Sequence, residues 1–220
     1  MPNWAECRQF YRQFRAQYHT TGSIVPSSRA LARAMTRPMR KMKQPRRILE
    51  VGPGTGAFTA EIVRHLRRDD QFDIVEINPD FVAYLGRRFS EEPRFRRRRA
   101  QCRIMHCPVQ EVQAEHGYDF LISGLPLNNF SLDLVHDIYR SYERLLKPDG
   151  TLTYFEYVWI RALKMPFVSA SERTRLMMLT QYLEAKIRRH QIGEEIVFLN
   201  VPPAVARHLR FSRAALGVRH

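Results

Sequence analysis

Residues 48–56 read Ile-Leu-Glu-Val-Gly-Pro-Gly-Thr-Gly, an apolar stretch running into three glycines, Gly52, Gly54 and Gly56, at two-residue spacing. A strand that ends in such a turn before a helix lets the backbone approach a ligand closely and leaves helix N–H groups free to meet it. Twenty residues beyond Gly56, Glu76 closes a second apolar run in Val75-Glu76-Ile77-Asn78. A carboxylate at the end of a strand in that register can accept both hydroxyls of a ribose. The order E-x-G-x-G-x-G differs from the G-x-G-x-x-G of a dinucleotide site, so the turn points to a different ribose-bearing ligand. Cys102, His106 and Cys107 are zinc-ligand types. Two adjacent candidates rarely close a tetrahedral site on a strand, however, and the chain has no C-x-x-C pair, so no metal is expected.

These residues need strands and helices in a fixed order to position them. Arg46–Val51 reads as a strand, Phe58–Arg67 as a helix, Phe72–Glu76 as a strand and Pro79–Phe89 as a helix. Arg103–Pro108 and Tyr118–Ser123 follow as strands. The helix Leu132–Leu146 ends at Lys147-Pro148-Asp149-Gly150, before a strand over Thr151–Trp159, and Glu194–Asn200 reads as a late strand. Such alternation predicts an α/β fold, a mainly parallel sheet with helices on both faces. Upstream, Ser27 or Ser28 can cap a helix over Arg29–Met35 that stops before Pro38. In residues 3–18, Trp4, Cys7, Phe10, Tyr11, Phe14 and Tyr18 share one helical face, with Arg8, Arg12 and Arg15 on or beside the other. That composition suits a helix lying in a membrane interface, and equally one docked on its own domain.

Strand, glycine turn, helix, strand and acid in register resemble motif I of the class I S-adenosylmethionine-dependent methyltransferases. The resemblance implies a Rossmann-like three-layer sandwich with an N-terminal amphipathic helical extension, and S-adenosyl-L-methionine as cofactor. It places Glu50, Gly52, Gly54, Thr55, Gly56, Glu76 and Ile77 at the cofactor, with Glu50 toward its methionine end. Many relatives hold the adenine amino group with an acid after the third strand. Here that stretch is Met105-His106-Cys107-Pro108, so Cys107 or a backbone amide is left to substitute. The fourth strand leads into Ser123-Gly124-Leu125-Pro126-Leu127-Asn128, which completes the expected cofactor set with Ser123, Gly124, Leu125 and Pro126. That segment is similar to the N-L-P-Y of rRNA adenine dimethyltransferases, but Gly124 stands for the Asn and Leu127 for the aromatic. The groups that bond and stack a nucleobase are therefore missing.

Three segments resemble the bacterial phospholipid N-methyltransferases instead: Thr21–Ala32 around Gly22-Ser23-Ile24-Val25-Pro26-Ser27-Ser28-Arg29, Ser123–Pro126, and Asn200-Val201-Pro202-Pro203-Ala204. They imply methylation of a membrane lipid amine, phosphatidylethanolamine towards phosphatidylcholine or, in related enzymes, ornithine lipid. Asn128, Tyr11, Tyr18 and Glu156 are the candidates for holding the head group. An RNA adenine methyltransferase and a non-catalytic binding module with a vestigial cofactor loop are the alternatives.

The chain of 220 residues carries 36 Lys+Arg against 22 Asp+Glu, a formal charge of +14, and basic proteins seek nucleic acid or anionic lipid. The excess sits in residues 1–47, where Glu6 is the one acid, and in residues 201–220, which have none. The middle is neutral. Two parts are expected, 1–45 as a membrane-binding, cofactor-covering extension and 46–220 as the catalytic domain. The ends would hold the enzyme on the anionic inner leaflet as a peripheral cytoplasmic protein, with nucleic acid not expected as partner. Three cysteines suit a reducing cytosol, no apolar run is long enough to span a membrane, and Met1–Arg15 has no apolar stretch of the signal-peptide kind.

Overall fold

The computed structural model describes residues 27–158 and 169–211. Seven strands form one sheet: β1 (Arg47–Val51), β2 (Gln71–Val75), β3 (Cys102–Met105), β4 (Tyr118–Ser123), β5 (Leu146–Tyr157), β6 (Gln191–Val197) and β7 (Ala204–Arg210). Their order is β3-β2-β1-β4-β5-β7-β6. The first five run parallel, and β7 lies antiparallel between β5 and β6.

Period-two alternation of apolar side chains makes a core on each face. Leu49, Val75, Leu121 and Leu152 face one way, under α6 (Leu132–Leu145) and α7 (Ala170–His190). Ile48, Ile74, Ile122 and Ala206 face the other, under α1 (Arg29–Met35), α2 (Arg37–Lys41), α3 (Ala57–His65) and α4 (Pro79–Glu91). A further turn, α5 (Pro93–Arg96), follows α4 and adds Phe95 to the second core. Three layers result, as expected for an α/β sandwich.

Ser28 caps α1 through its hydroxyl, which accepts from Leu31 N at 3.1 Å, and Pro38 stands in the first turn of α2 after a break at Thr36. Leu31, Met35 and Met39 are buried in the second core. Arg46, in the basic N-terminal region, is buried too. It makes a bidentate pair with Asp70 and donates to the carbonyls of Met39 and His65 at 2.7 Å each, tying α2 and α3 to the foot of β1. Burial alone would push the Asp70 carboxyl up, but the Arg46 guanidinium and the amides of Arg67 and Arg46 hold it below its ordinary value.

Several boundaries differ from the sequence reading. β3 ends at Met105 and not Pro108, and the late strand covers Gln191–Val197 and not Glu194–Asn200. α6 stops at Leu145 and β5 begins at once, with a register shift opposite Tyr118 and Phe120. α7 and β7 were not expected at all. The amphipathic stretch 3–18 and Trp159 lie outside the described residues.

Candidate cofactor and acceptor site

The C-terminal ends of β1, β2 and β4 meet at the glycine turn. Gly52 N donates to Val75 O at 2.9 Å and Gly124 N to Val51 O at 2.8 Å, joining the turn to both neighbouring strands. Gly52 has φ +68°, and a Cβ on Gly124 would stand 2.4 Å from the Gly52 carbonyl oxygen. The two loops therefore pass at backbone contact, and position 124 has no room for a side chain. A Cβ on Gly54, by contrast, would meet nothing within 4 Å, so this residue borders open space. Behind the turn, Arg88 of α4 donates to the carbonyls of Thr55 and Gly56 at 3.2 Å each. Glu92 grips Arg88 at 2.5 and 3.1 Å, and its guanidinium lies over the Phe95 ring at 4.2 Å. Nothing in the sequence reading pointed to this buttress, because its partners are backbone carbonyls more than 30 residues away.

Glu76 is buried beside Gly54. One carboxylate oxygen accepts from Asn78 N at 2.8 Å and the other from Gly54 N at 3.3 Å, so the turn and the start of α4 orient it jointly. Burial raises its pKa and these amides oppose the rise. Glu50 is wholly buried on β1, and among the described residues neither of its oxygens meets a hydrogen-bond partner. Burial pushes its carboxyl up to about 8; the nearby Thr59 hydroxyl opposes the shift and the Glu76 charge adds to it.

A narrow slot of about 30 Å³ opens beside the turn, walled by Gly52, Ile77, Cys107, Gln110, Leu125 and Phe130. Four of these were expected from the sequence; Gln110 and Phe130 were not. Among the described residues, no carboxylate lines the slot. Burial raises the pKa of the Cys107 thiol, and His106 Nε2 lies 3.1 Å from Ile77 O. Cys102 is buried at the start of β3. A far larger cleft, about 640 Å³, lies at the opposite end of the sheet, where α2, the start of β6 and the end of β7 meet, away from the glycine turn.

The loop after β4 carries the other expected residues. Ser123 Oγ lies 2.7 Å from Tyr142 OH and accepts from Leu125 N at 3.3 Å, so its hydroxyl shapes the loop. Leu127–Asn129 makes a single 3-10 turn after Pro126, and Asn128 Oδ1 is buried without a hydrogen-bond partner among the described residues. Arg175 of α7 donates to the carbonyls of Phe130 and, at 3.4 Å, Asn128, while Glu172 holds it at 2.9 and 2.6 Å. Glu156, near the end of β5, pairs with Arg207 Nε of β7 at 3.4 Å. Tyr11 and Tyr18 lie outside the described residues.

A family model for the methyltransferase domain matches residues 48–150, from β1 to the start of β5. The ornithine lipid N-methyltransferase of Singulisphaera acidiphila is 31% identical over 139 residues, 63% of this chain and 71% of that protein. The chain belongs to the class I S-adenosylmethionine-dependent methyltransferases. A tRNA1(Val) (adenine(37)-N6)-methyltransferase of Dyadobacter fermentans is 22% identical to this methyltransferase over 196 residues, covering 75% and 79% of the two chains. Among solved structures, the methyltransferase matches the Burkholderia thailandensis 1,6-didemethyltoxoflavin-N1-methyltransferase with bound S-adenosylhomocysteine. The TM-score is 0.63 at 18% identity, with 96% and 92% of the chains covered.

S-adenosylmethionine is the cofactor of this methyltransferase, and the residues present fit it. Glu76 offers a fixed carboxylate for ribose hydroxyls, the slot presents the apolar side chains of Ile77, Leu125 and Phe130, and Gly54 leaves space for close approach. The orphaned Glu50 carboxyl is a buried acceptor of the kind an ammonium group satisfies. When bound, the cofactor supplies an electrophilic methyl group on a sulfonium. Among the described residues, no helix is long and apolar enough to cross a membrane.

Proposed function

We propose that this methyltransferase methylates the amine head group of a membrane lipid, ornithine lipid or phosphatidylethanolamine. The observation that carries the reading is the 31% identity with an ornithine lipid N-methyltransferase across 71% of that protein. The acceptor loop supports it. A nucleobase enzyme bonds and stacks its base there, whereas Gly124 has no space for a bonding side chain and Leu127 is a buried aliphatic. Amine methylation asks less of the protein: a deprotonated nitrogen held in line, with positioning and charge stabilisation supplying most of the acceleration.

In this reading Asn128 Oδ1 accepts an N–H of the lipid amine and orients its lone pair, and Arg175 fixes the loop that carries it. Glu156, held by Arg207, contributes a carboxylate oxygen toward the head group. Tyr11 and Tyr18 contact the head group through their rings, a cation–π attraction of about 0.5–2 kcal/mol. Residues 1–45 attach the enzyme to the anionic inner leaflet and cover the cofactor.

The test uses labelled S-adenosylmethionine with vesicles of ornithine lipid or phosphatidylethanolamine in phosphatidylglycerol, and chromatography of the products. Label in the lipid amine is the expected result. Intact cofactor binding with no transfer to either lipid overturns the proposal. The distant likeness to the tRNA methyltransferase defines the second reading, and label in adenine of RNA would decide for it.

A further inference from the structure

We propose that the tip joining β6 to β7, residues 198–203, is a lipid-inserting wedge that seats the catalytic end of the sheet on a bilayer. The proposal rests on the lipid-amine reading and adds a contact surface to it.

The tip has its polarity reversed. Phe198, Leu199 and Val201 are 68%, 82% and 70% exposed, while Asn200 between them is only 3% exposed. A tight connection in water ordinarily presents its polar residues and leaves few large apolar ones outside. Here the amide of Asn200 is turned inward to hold the backbone. Its Oδ1 accepts from Ser28 N at 2.9 Å, and its Nδ2 donates to Pro202 O at 2.7 Å. Val158 N donates to Pro203 O at 2.8 Å, which fixes the far side of the tip to the end of β5. Three apolar side chains are thus displayed on a braced backbone, so little ordering entropy is left to lose on contact.

Topology decides where the wedge points. β7 runs antiparallel to β5 with Ala204 opposite Tyr157, so the tip stands at the C-terminal end of the parallel strands. The glycine turn, Glu76 and the acceptor loop lie at that same end. Inserting the tip brings the catalytic end toward the membrane, where a lipid head group is presented.

Charge selects the partner. Arg29 is exposed and directly follows Ser28, whose amide is bound to Asn200, so a cation stands beside the apolar tip. Apolar side chains reaching the acyl boundary beside an arginine at phosphate level are the pattern of an interfacial membrane contact. A second copy of this chain would offer the same arginine to the same tip, like charge against like.

The experiment uses the full chain and vesicles of equal parts phosphatidylethanolamine and phosphatidylglycerol. Sedimentation with vesicles is compared for the wild type and the F198S/L199S/V201S variant, with cofactor calorimetry as the folding control. Amide exchange at residues 198, 199 and 201 of the wild type is followed with and without vesicles. The expected result is a fall in vesicle partitioning of about tenfold or more in the variant, unchanged cofactor affinity, and slowed exchange in the wild type on vesicles. If the triple variant does not fold, L199S and the wild-type exchange decide the question. Equal partitioning of wild type and variant, with exchange unaltered by vesicles, overturns the wedge while leaving the lipid reading standing. A wild-type dimer broken by the variant with vesicle binding unchanged overturns it in favour of self-association. A wild type that neither binds vesicles nor methylates lipid overturns both.

Discussion

Glu50 and Gly124 show how single positions reveal the site. The folded protein holds the Glu50 proton up to about pH 8, while an unfolded chain releases it near 4.5. Between those values the folded state binds more protons, so this group's contribution to stability is full below the lower value and is lost as pH rises toward the upper. The lowered His190 and His208 act with the opposite sign near neutrality, since there the unfolded state takes up more protons. The measurable quantity is therefore the difference between Glu50→Gln and wild type. Denaturant midpoints of the cofactor-free proteins should show the variant gaining relative stability from about pH 5 to about pH 8. A flat difference would mean that Glu50 is not protonated in the fold. At Gly124, any Cβ meets the Gly52 carbonyl at 2.4 Å. Gly124→Asn, which restores the residue that base-modifying enzymes carry, should cost about 1–3 kcal/mol in overpacking. It should also weaken S-adenosylmethionine binding about tenfold by calorimetry without gaining adenine methylation; unaltered affinity would contradict the close approach.

Among the elements, α7 matters most to the site and was least visible in the sequence. Among its described residues, Leu176, Leu179 and Leu183 are buried against the core and His190 at its end, within a sequence otherwise rich in Arg, Glu, Thr and Gln. So sparse an apolar stripe gives no clear helical period. Its Arg175 nonetheless holds the carbonyls of the acceptor loop. Removing charge-assisted bonds worth about 1.5–3 kcal/mol should let that loop move. We expect Arg175→Gln to lower kcat on the lipid acceptor about tenfold while the cofactor Kd stays unchanged; equal losses in both would make the residue merely structural. A different element junction depends on Arg46. Arg46→Ala leaves Asp70 buried without its partner and should cost about 3–5 kcal/mol in urea unfolding.

Over the whole molecule, where the formal charge is +14, several cations of the two basic ends are already paired with acids of the neutral middle. Arg46 is buried with Asp70, Arg37 pairs with Glu195 at 2.6 Å, and Arg207 of the basic C-terminal region bonds Glu156 and Glu194. These neutral pairs leave the net excess at +14 but take those arginines out of the membrane address, which residues 1–18 and the β6–β7 tip would share. Deleting residues 1–18 should abolish sedimentation with anionic vesicles at moderate salt while cofactor binding persists; unchanged sedimentation would refute the anchor. Much of this plan was legible in the linear chain. Motif I, Glu76 and the β-α alternation are local patterns in which each residue constrains its near neighbours, so strands β1, β2 and β4 followed from the residue pattern, and the cofactor family from the resemblance that this pattern carries. Folding decided what depends on distant partners. β7 enters between β5 and β6 because pairing on both edges satisfies its backbone, which its sequence AVARHLR does not announce. Ser28 and Asn200, in two of the segments that carry the family resemblance, prove to be hydrogen-bonded to each other across 172 residues. That bond turns a polar side chain inward and leaves apolar ones outside, a reversal no pattern of residue types encodes, because only the folded backbone determines which way a side chain faces.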